Sequence, residues 1–309
     1  MTNKPLILVT GATGAQGGSV VRHLLQQNRF TLRCLTRNAE SENAQALRAA
    51  GADVVQGDLG DIDSLHHALR GCYGVFGVTN FWEHFEKEFA HGKNLIDAVH
   101  AANIKHFVFS TLVSAHQVSG GRFSVPHLDI KAELEAYARS LNLRATYVHV
   151  AFYYENFFTF FPPRLSDDGN FHIGFPQGDT KLAAVSVDDV GGVVASIFAS
   201  PSKFMGEQVG IVGEDLTVSE YMAQLSEATG RKHVYDFIPH PVYAAFNFPG
   251  AGELANMFEF NRLYIPERTK DLQQSKALFD GMQSFAGWLS TQPDRLAYAR
   301  HPSVSKTAL

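Results

Sequence analysis

Three glycines at fixed spacing carry the strongest chemical signal in the chain. Gly11-Ala12-Thr13-Gly14-Ala15-Gln16-Gly17 follows a short apolar run, Leu6–Thr10. It opens a stretch with Val20, Val21, Leu24 and Leu25 on one helical face. In that setting the three glycines do different things. Gly11 permits a tight turn, Gly14 removes a Cβ where a pyrophosphate would approach, and Gly17 lets the helix lie close to the strand. The helix start, at Ala15 and Gln16 beside Thr13, offers unpaired N–H groups and the positive end of the helix dipole to phosphate. A dinucleotide is the ligand class this arrangement suits.

Further along, the run expected to form the second strand ends at Leu35-Thr36-Arg37-Asn38, and no carboxylate follows until Glu40. A site for an unphosphorylated ribose usually places an acid here. Arg37 instead offers a planar cationic fork suited to a 2′-phosphate, which points to NADP(H). Thr79-Asn80-Phe81-Trp82 follows the fourth apolar run. Strand C-termini line the ligand crevice of a doubly wound sheet, so Thr79 and Asn80 suit a cofactor ribose, with Phe81 and Trp82 either as a flat wall or as ordinary loop packing.

The G-x-x-G-x-x-G spacing is the variant found in short-chain dehydrogenases/reductases. Taken together, TGATGAQGGSV, LTRN, VVQGDLGD and GVTNFWE resemble the NmrA-like family of atypical members of that superfamily, and are especially similar to its HSCARG-type NADPH sensors. The resemblance runs from about Pro5 to beyond Tyr221 and fades towards the C-terminus. It implies that Gly57-Asp58-Leu59 borders an adenine ring. Asp58 then either accepts from the adenine amino group or merely caps the helix starting at Asp61 or Ile62.

The superfamily's working members carry Tyr-x-x-x-Lys on the helix after the fifth strand, where one turn puts both side chains on one face. The lysine holds the nicotinamide ribose and the phenol passes a proton. Here the corresponding stretch is Pro126-His127-Leu128-Asp129-Ile130-Lys131. Lys131 is in place, His127 stands where the tyrosine would, and Tyr137 falls on another face. Ser110 and Ser114 are candidates for the accompanying serine. His127 is either a proton donor or a polar pocket residue of a protein that does not turn over. An ammonium close by would favour neutral imidazole, so little or no dehydrogenase turnover is expected.

Phe152, Tyr153, Tyr154, Phe157, Phe158, Phe160 and Phe161 crowd the segment after the sixth strand. They suit a flat apolar pocket for a quinone or other aromatic ligand, a surface for a second protein, or packing against the C-terminal part. By resemblance, Tyr154 and Asn156 border the cofactor pocket.

Short apolar runs alternate with helical patterns through Val150, which means crossover units and a parallel sheet. The expectation is an α/β fold: a Rossmann-type doubly wound parallel sheet with a smaller C-terminal α/β lobe. Residues 1–150 form the dinucleotide-binding domain, 151–300 the lobe, interleaved with the sheet, and 301–309 a tail. Helices are expected at Ser19–Gln27, Glu88–Ala102, Ile130–Leu141, Val190–Ser200 and Val218–Thr229, and mostly helix beyond Pro239.

Composition narrows the function. Of 309 residues 45% are hydrophobic and 18% charged, which excludes a disordered chain. A net charge of −5 argues against direct nucleic-acid binding. Two cysteines, Cys34 and Cys72, supply neither a disulfide framework nor a structural zinc site, and the histidine spacing predicts no metal. With no targeting segment and no apolar run near about 18 residues, a cytoplasmic protein off the membrane is expected, as monomer or homodimer. The leading function is an NADP(H)-binding regulatory protein, a redox sensor whose contacts with a protein partner depend on occupancy. The alternative is an NADPH-dependent reductase of an apolar carbonyl, quinone or olefin.

Overall fold

The computed structural model describes residues 4–299; the expected tail at 301–309 lies outside the described residues. The first half alternates as its apolar pattern requires. It runs β1 (Leu6–Val9), α1 (Ala15–Gln27), β2 (Thr31–Thr36), α2 (Glu42–Ala49), β3 (Asp53–Gln56), α3 (Ile62–Ala68) and β4 (Gly74–Gly77). Then come α4 (Phe81–His84), α5 (Glu88–Ala101), β5 (His106–Thr111), α6 (Ala115–Val118), α7 (Pro126–Ser140) and β6 (Ala145–Val150).

The second half begins with β7 (Phe152–Tyr153), β8 (Arg164–Leu165), β9 (Phe171–Phe175) and β10 (Lys181–Val185). It continues with α8 (Val187–Ala199), α9 (Pro201–Phe204), β11 (Gln208–Ile211), β12 (Glu214–Thr217), α10 (Val218–Thr229) and β13 (His233–Phe237). It ends with α11 (His240–Ala244), α12 (Ala251–Tyr264), α13 (Thr269–Leu278), α14 (Phe285–Ser290) and a short 3-10 turn, Arg295–Ala299.

The central sheet has seven parallel strands in the order β11-β6-β5-β4-β1-β2-β3. Successive side chains of a strand face opposite ways. Ile7 and Val9 therefore join the core under α1 and α8, whereas Leu8 joins the core under α3, α5 and α7. Burial on both faces explains why these strands read as unbroken apolar runs. The chain leaves β1 in one direction and β4 in the other, and the crevice opens where those two strands part. The Thr10 hydroxyl ties the two ends together, accepting from Val78 N–H at 2.9 Å.

Residue 150 is not the boundary of this sheet. β11 returns from the second half to pair with β6, and α8 covers the face it shares with α1. Helices α1 and α8 approach closely at Gly191, whose N–H donates to Ser19 Oγ at 2.9 Å. Ser186 caps α8 by accepting from Asp188 N–H, so the helix starts at Val187 rather than Val190. Helix α7 likewise begins at Pro126, where proline at the first position suits a helix start.

The lobe is built on two small sheets, β12-β10-β7 and β13-β9-β8, around Tyr154, Phe157, Tyr221, Phe258 and Trp288. Strands β9 and β13 are not expected from the sequence. They are five residues each and sit among aromatics whose strand period is obscured.

One buried group makes acid stability testable. His106 is fully buried in β5, its Nε2 2.9 Å from Thr146 Oγ1. Burial pushes its imidazole down to about 4. Below the unfolded value the unfolded chain takes up a proton the fold refuses, so stability present above about pH 6.5 is lost as pH falls towards 4. The loss is on the order of 3 kcal/mol. His106→Gln should flatten the urea-unfolding stability profile between pH 6.5 and 4 relative to wild type; an unchanged slope would contradict this.

Candidate functional site

The glycine loop is shaped by close approach. Gly11 has φ +58°, a left-handed conformation that favours glycine. A Cβ on Gly17 would lie 2.2 Å from Gly11 O, so α1 can leave β1 at this angle only without one. Gly14 differs: its φ of −93° suits any residue, and a Cβ there would sit 3.3 Å from Gly11 O. Gly14 is the N-cap of α1, no side chain caps that end, and no acid occupies its first turn. The first N–H groups, from Ala15 onward, therefore face the crevice with the positive helix end intact.

A cavity of about 1680 Å³ starts at this loop. Gly11, Thr13, Gly14, Ala15, Gln16 and Gly17 line one end, followed by Arg37, Asp58 and Leu59. Thr79, Asn80, His127 and Lys131 line the middle, with Asn156. The lobe side carries Phe152, Phe160, Phe161, Phe246, Phe248 and Met257, with Arg164, His172, Lys181 and Arg268 also on its wall. The aromatic segment divides between two roles. Phe157 and Phe158 pack into the lobe, while Phe152, Phe160 and Phe161 border the cavity.

Tyr154 does not border it. The ring is fully buried in the lobe core, and its hydroxyl donates to Gln283 O at 3.2 Å. Its neighbour Tyr153, the last residue of β7, borders the cavity instead, and Tyr154 opens a 3-10 turn that carries its ring into the lobe. Gln16 Nε2 donates to the Tyr153 hydroxyl at 2.5 Å, and burial pushes that phenol up to about 12. Gln16 Oε1 is buried without a partner, an acceptor aimed into the crevice wall.

Lys131 is held more firmly than its sequence position suggests. Its Nζ donates to Thr79 Oγ1 at 2.9 Å and Thr79 O at 3.1 Å, and forms an ion pair with Glu88. Thr79 Oγ1 in turn donates to Glu88 Oε1 at 2.6 Å. Glu88, the first residue of α5, is fully buried and is not among the residues the sequence singles out. An acid opening a helix ordinarily faces water, so its position gives no signal. Burial lowers the Lys131 ammonium from the usual lysine range, and the Glu88 carboxylate opposes that shift.

Two expectations from the sequence are corrected. Arg37 does have an acidic competitor: Glu83 Oε1 of α4 lies 2.5 Å from Arg37 Nη2, both side chains about half exposed. His127 is not governed by Lys131, whose charge is met by Glu88. Its ring Nδ1 lies 2.5 Å from Glu253 Oε1, which also accepts the His127 backbone N–H at 3.2 Å. A carboxylate at that distance takes an Nδ1–H bond and leaves Nε2 as the nitrogen that can exchange a proton.

The remaining candidates separate cleanly. Asp61, not Asp58, caps α3, accepting from Asp63 and Ser64 N–H. Asp58 Oδ1 accepts from Gly60 N–H at 2.6 Å and the residue borders the cavity. Asn80 Nδ2 donates to Glu83 Oε2 at 3.3 Å. Ser110 lines the cavity, whereas Ser114 caps α6 and donates to Asp129. Tyr137 donates to Asp97 at 2.6 Å, away from the cavity wall. Among the described residues no three His, Cys, Asp or Glu side chains gather as a metal site, and no helix is long and apolar enough to cross a membrane.

Comparison with known proteins decides the family. The sequence profile of the NmrA-like family matches residues 3–289. The chain belongs to the NmrA-like family. Among its relatives is an NmrA-like family domain-containing protein of Dictyostelium discoideum, 35% identical over 75% of this chain and 80% of that one. Another is the NmrA-like family domain-containing oxidoreductase FrzB of Cladobotryum, 32% identical over 85% of this chain and 87% of that one. Solved structures share the fold. NmrA, a negative transcriptional regulator solved with NADP, superposes with a TM-score of 0.77 at 24% identity, covering 97% of this chain and 96% of its own. An NADPH-dependent quinone oxidoreductase of Escherichia coli, solved with NADPH, gives a TM-score of 0.77 at 21% identity over 92% and 99%. The expected NmrA-like membership and Rossmann-type sheet are thus both met.

Proposed function

We propose that this NmrA-like protein binds NADP(H) along the crevice and reduces a flat apolar acceptor, such as a quinone, in the aromatic end of the same cavity. The size of the cavity carries this reading. About 1680 Å³ exceeds the roughly 300–1,000 Å³ of a single small-molecule site, so there is room for a dinucleotide and a second ligand. The chain's own groups fit the dinucleotide: an uncapped helix start, a Gly14 position that a side chain would fill, and a buried, unpartnered Gln16 Oε1. Family relatives named as oxidoreductases support it.

When bound, the reduced nicotinamide supplies the hydride. The protein does the rest. The loop N–H groups hold phosphate, Lys131 Nζ turns one of its three N–H donors from Thr79 O to a ribose, and the part-buried Phe152 and Phe161 exclude water around the acceptor. Reduction of a quinone adds one hydride and one proton. To give that proton from Nε2 the His127 ring must carry hydrogens on both nitrogens, with Glu253 accepting from Nδ1–H, and it takes the proton back from solvent afterwards.

A specific observation favours the sensor reading as well. Lys131 has no phenol one turn away and is itself paired with Glu88, an arrangement suited to binding with little turnover. In that case a regulatory protein partner would read occupancy, as the regulator NmrA suggests. Steady-state NADPH oxidation with a panel of quinones and aromatic aldehydes separates the two. Turnover lowered by His127→Ala supports the reductase; micromolar NADPH binding with no turnover on any acceptor supports the sensor.

The preference for the phosphorylated cofactor rests on Arg37. A charge-assisted contact is worth about 1.5–3 kcal/mol, roughly 10- to 150-fold. Arg37→Ala should weaken NADPH by that order while NADH changes little, read by calorimetry. Equal binding of NADH and NADPH to wild type would contradict the assignment.

A further inference from the structure

Glu83 and Trp82 are neighbours on α4, a helix of four residues that bridges the two ends of the cavity. Glu83 Oε1 lies 2.5 Å from Arg37 Nη2 at the end of β2. Trp82 turns the other way. Its ring lies 5.3 Å from the His127 ring and 6.4 Å from that of Phe160, over the aromatic end. A segment this short moves as a unit, so what happens to Glu83 is felt at Trp82.

The same segment ends on a strained hinge. Phe85, which closes α4, has φ +38°; the other non-glycine residues with positive φ among those described are all asparagines, which tolerate it. Strain of this kind is held only while surrounding contacts over-determine it. Here the contacts are the Arg37–Glu83 pair, the Asn80–Glu83 hydrogen bond and the Phe81 side chain buried beneath.

We infer that Glu83 is a specificity-determining residue that competes with the cofactor's 2′-phosphate for Arg37, and that its displacement moves Trp82 off the acceptor end of the cavity. The inference rests on the NADP(H) reading. A phosphate dianion on Arg37 repels the Glu83 carboxylate at the same guanidinium, whereas a 2′-hydroxyl leaves the pair intact. Only the phosphorylated cofactor would then release α4 and open the acceptor end. Coupling is reciprocal: whatever the phosphate does to the pair, the pair does to the phosphate.

The test uses 2′,5′-ADP and 5′-AMP, which differ only in the 2′-phosphate, on the full chain labelled with 5-fluorotryptophan. The chain has 2 tryptophans, Trp82 and the buried Trp288, and Trp82→Phe assigns their fluorine resonances. Expected is that 2′,5′-ADP shifts the Trp82 resonance while bound 5′-AMP does not. In Glu83→Gln the free protein should already show the shifted resonance. That variant should bind 2′,5′-ADP roughly 3- to 10-fold tighter, with 5′-AMP affinity changed less than about 2-fold. Glu83 is half exposed, so the substitution leaves the fold in place. Binding of both nucleotides with equal shifts of Trp82, or Glu83→Gln moving both affinities alike, overturns the inference and leaves the cofactor reading standing. Failure of both nucleotides to bind overturns the two together.

Discussion

Gly14→Val abolishes NADPH binding while the protein stays folded. Backbone conformation permits the change, since Gly14 has φ −93° and ψ −178°, an extended geometry valine favours. Its Cβ would sit 3.3 Å from Gly11 O, tight but tolerable at a cost of about 1 kcal/mol. The branched methyls would occupy the space in front of the α1 N-terminus, where phosphate must meet the N–H groups. A loss of at least about 100-fold in affinity, close to 3 kcal/mol, is expected by calorimetry, with an unchanged circular dichroism spectrum. Gly17→Ala provides the contrast. Its Cβ meets Gly11 O at 2.2 Å and Gly11 C at 2.5 Å, backbone atoms that cannot swing aside. That variant should lose stability itself, by about 1–3 kcal/mol or more. Wild-type NADPH affinity in Gly14→Val would remove the loop from the phosphate site.

Lys131→Met should cost the fold about 3–5 kcal/mol, because it leaves the fully buried Glu88 carboxylate without its counter-charge. The desolvation cost of Glu88 stays while the Coulomb attraction and the Lys131 bonds to Thr79 disappear. Lys131→Met combined with Glu88→Leu should recover most of that loss, since a buried pair replaced by apolar groups is often neutral. Urea unfolding of the two variants checks this. A loss below about 1 kcal/mol in the single variant would show that Glu88 finds another partner or takes up a proton. NADPH affinity should fall in both, because both lack the ammonium at the ribose position.

The parts of this molecule legible in its sequence are those fixed by local pattern. The glycine spacing specifies the turn between β1 and α1, and unbroken apolar runs such as Leu6–Val9 announce strands buried on both faces. Side chains that matter through distant contacts are not legible. Glu88 looks like any acid at a helix start, yet it is the buried partner of Lys131. Glu83 and Glu253 reach Arg37 and His127 from elements that sequence spacing cannot align with them. Tyr153 faces the cavity where the sequence points to Tyr154, because the chain leaves the two-residue strand β7 after Tyr153 for a 3-10 turn that no sequence period announces. The short strands β9 and β13 hide for a similar reason, since parallel pairing between them is a long-range event among aromatic residues.

Single-turnover mixing tests the central claim, that one cavity holds cofactor and acceptor together. Protein loaded with one equivalent of NADPH is mixed with excess apolar quinone and followed at the reduced-nicotinamide absorbance, against a protein-free control. The account predicts loss of one equivalent of NADPH per chain, at a rate that saturates with quinone and falls in His127→Ala. Bound NADPH that persists at the protein-free rate, whatever the acceptor, would contradict it.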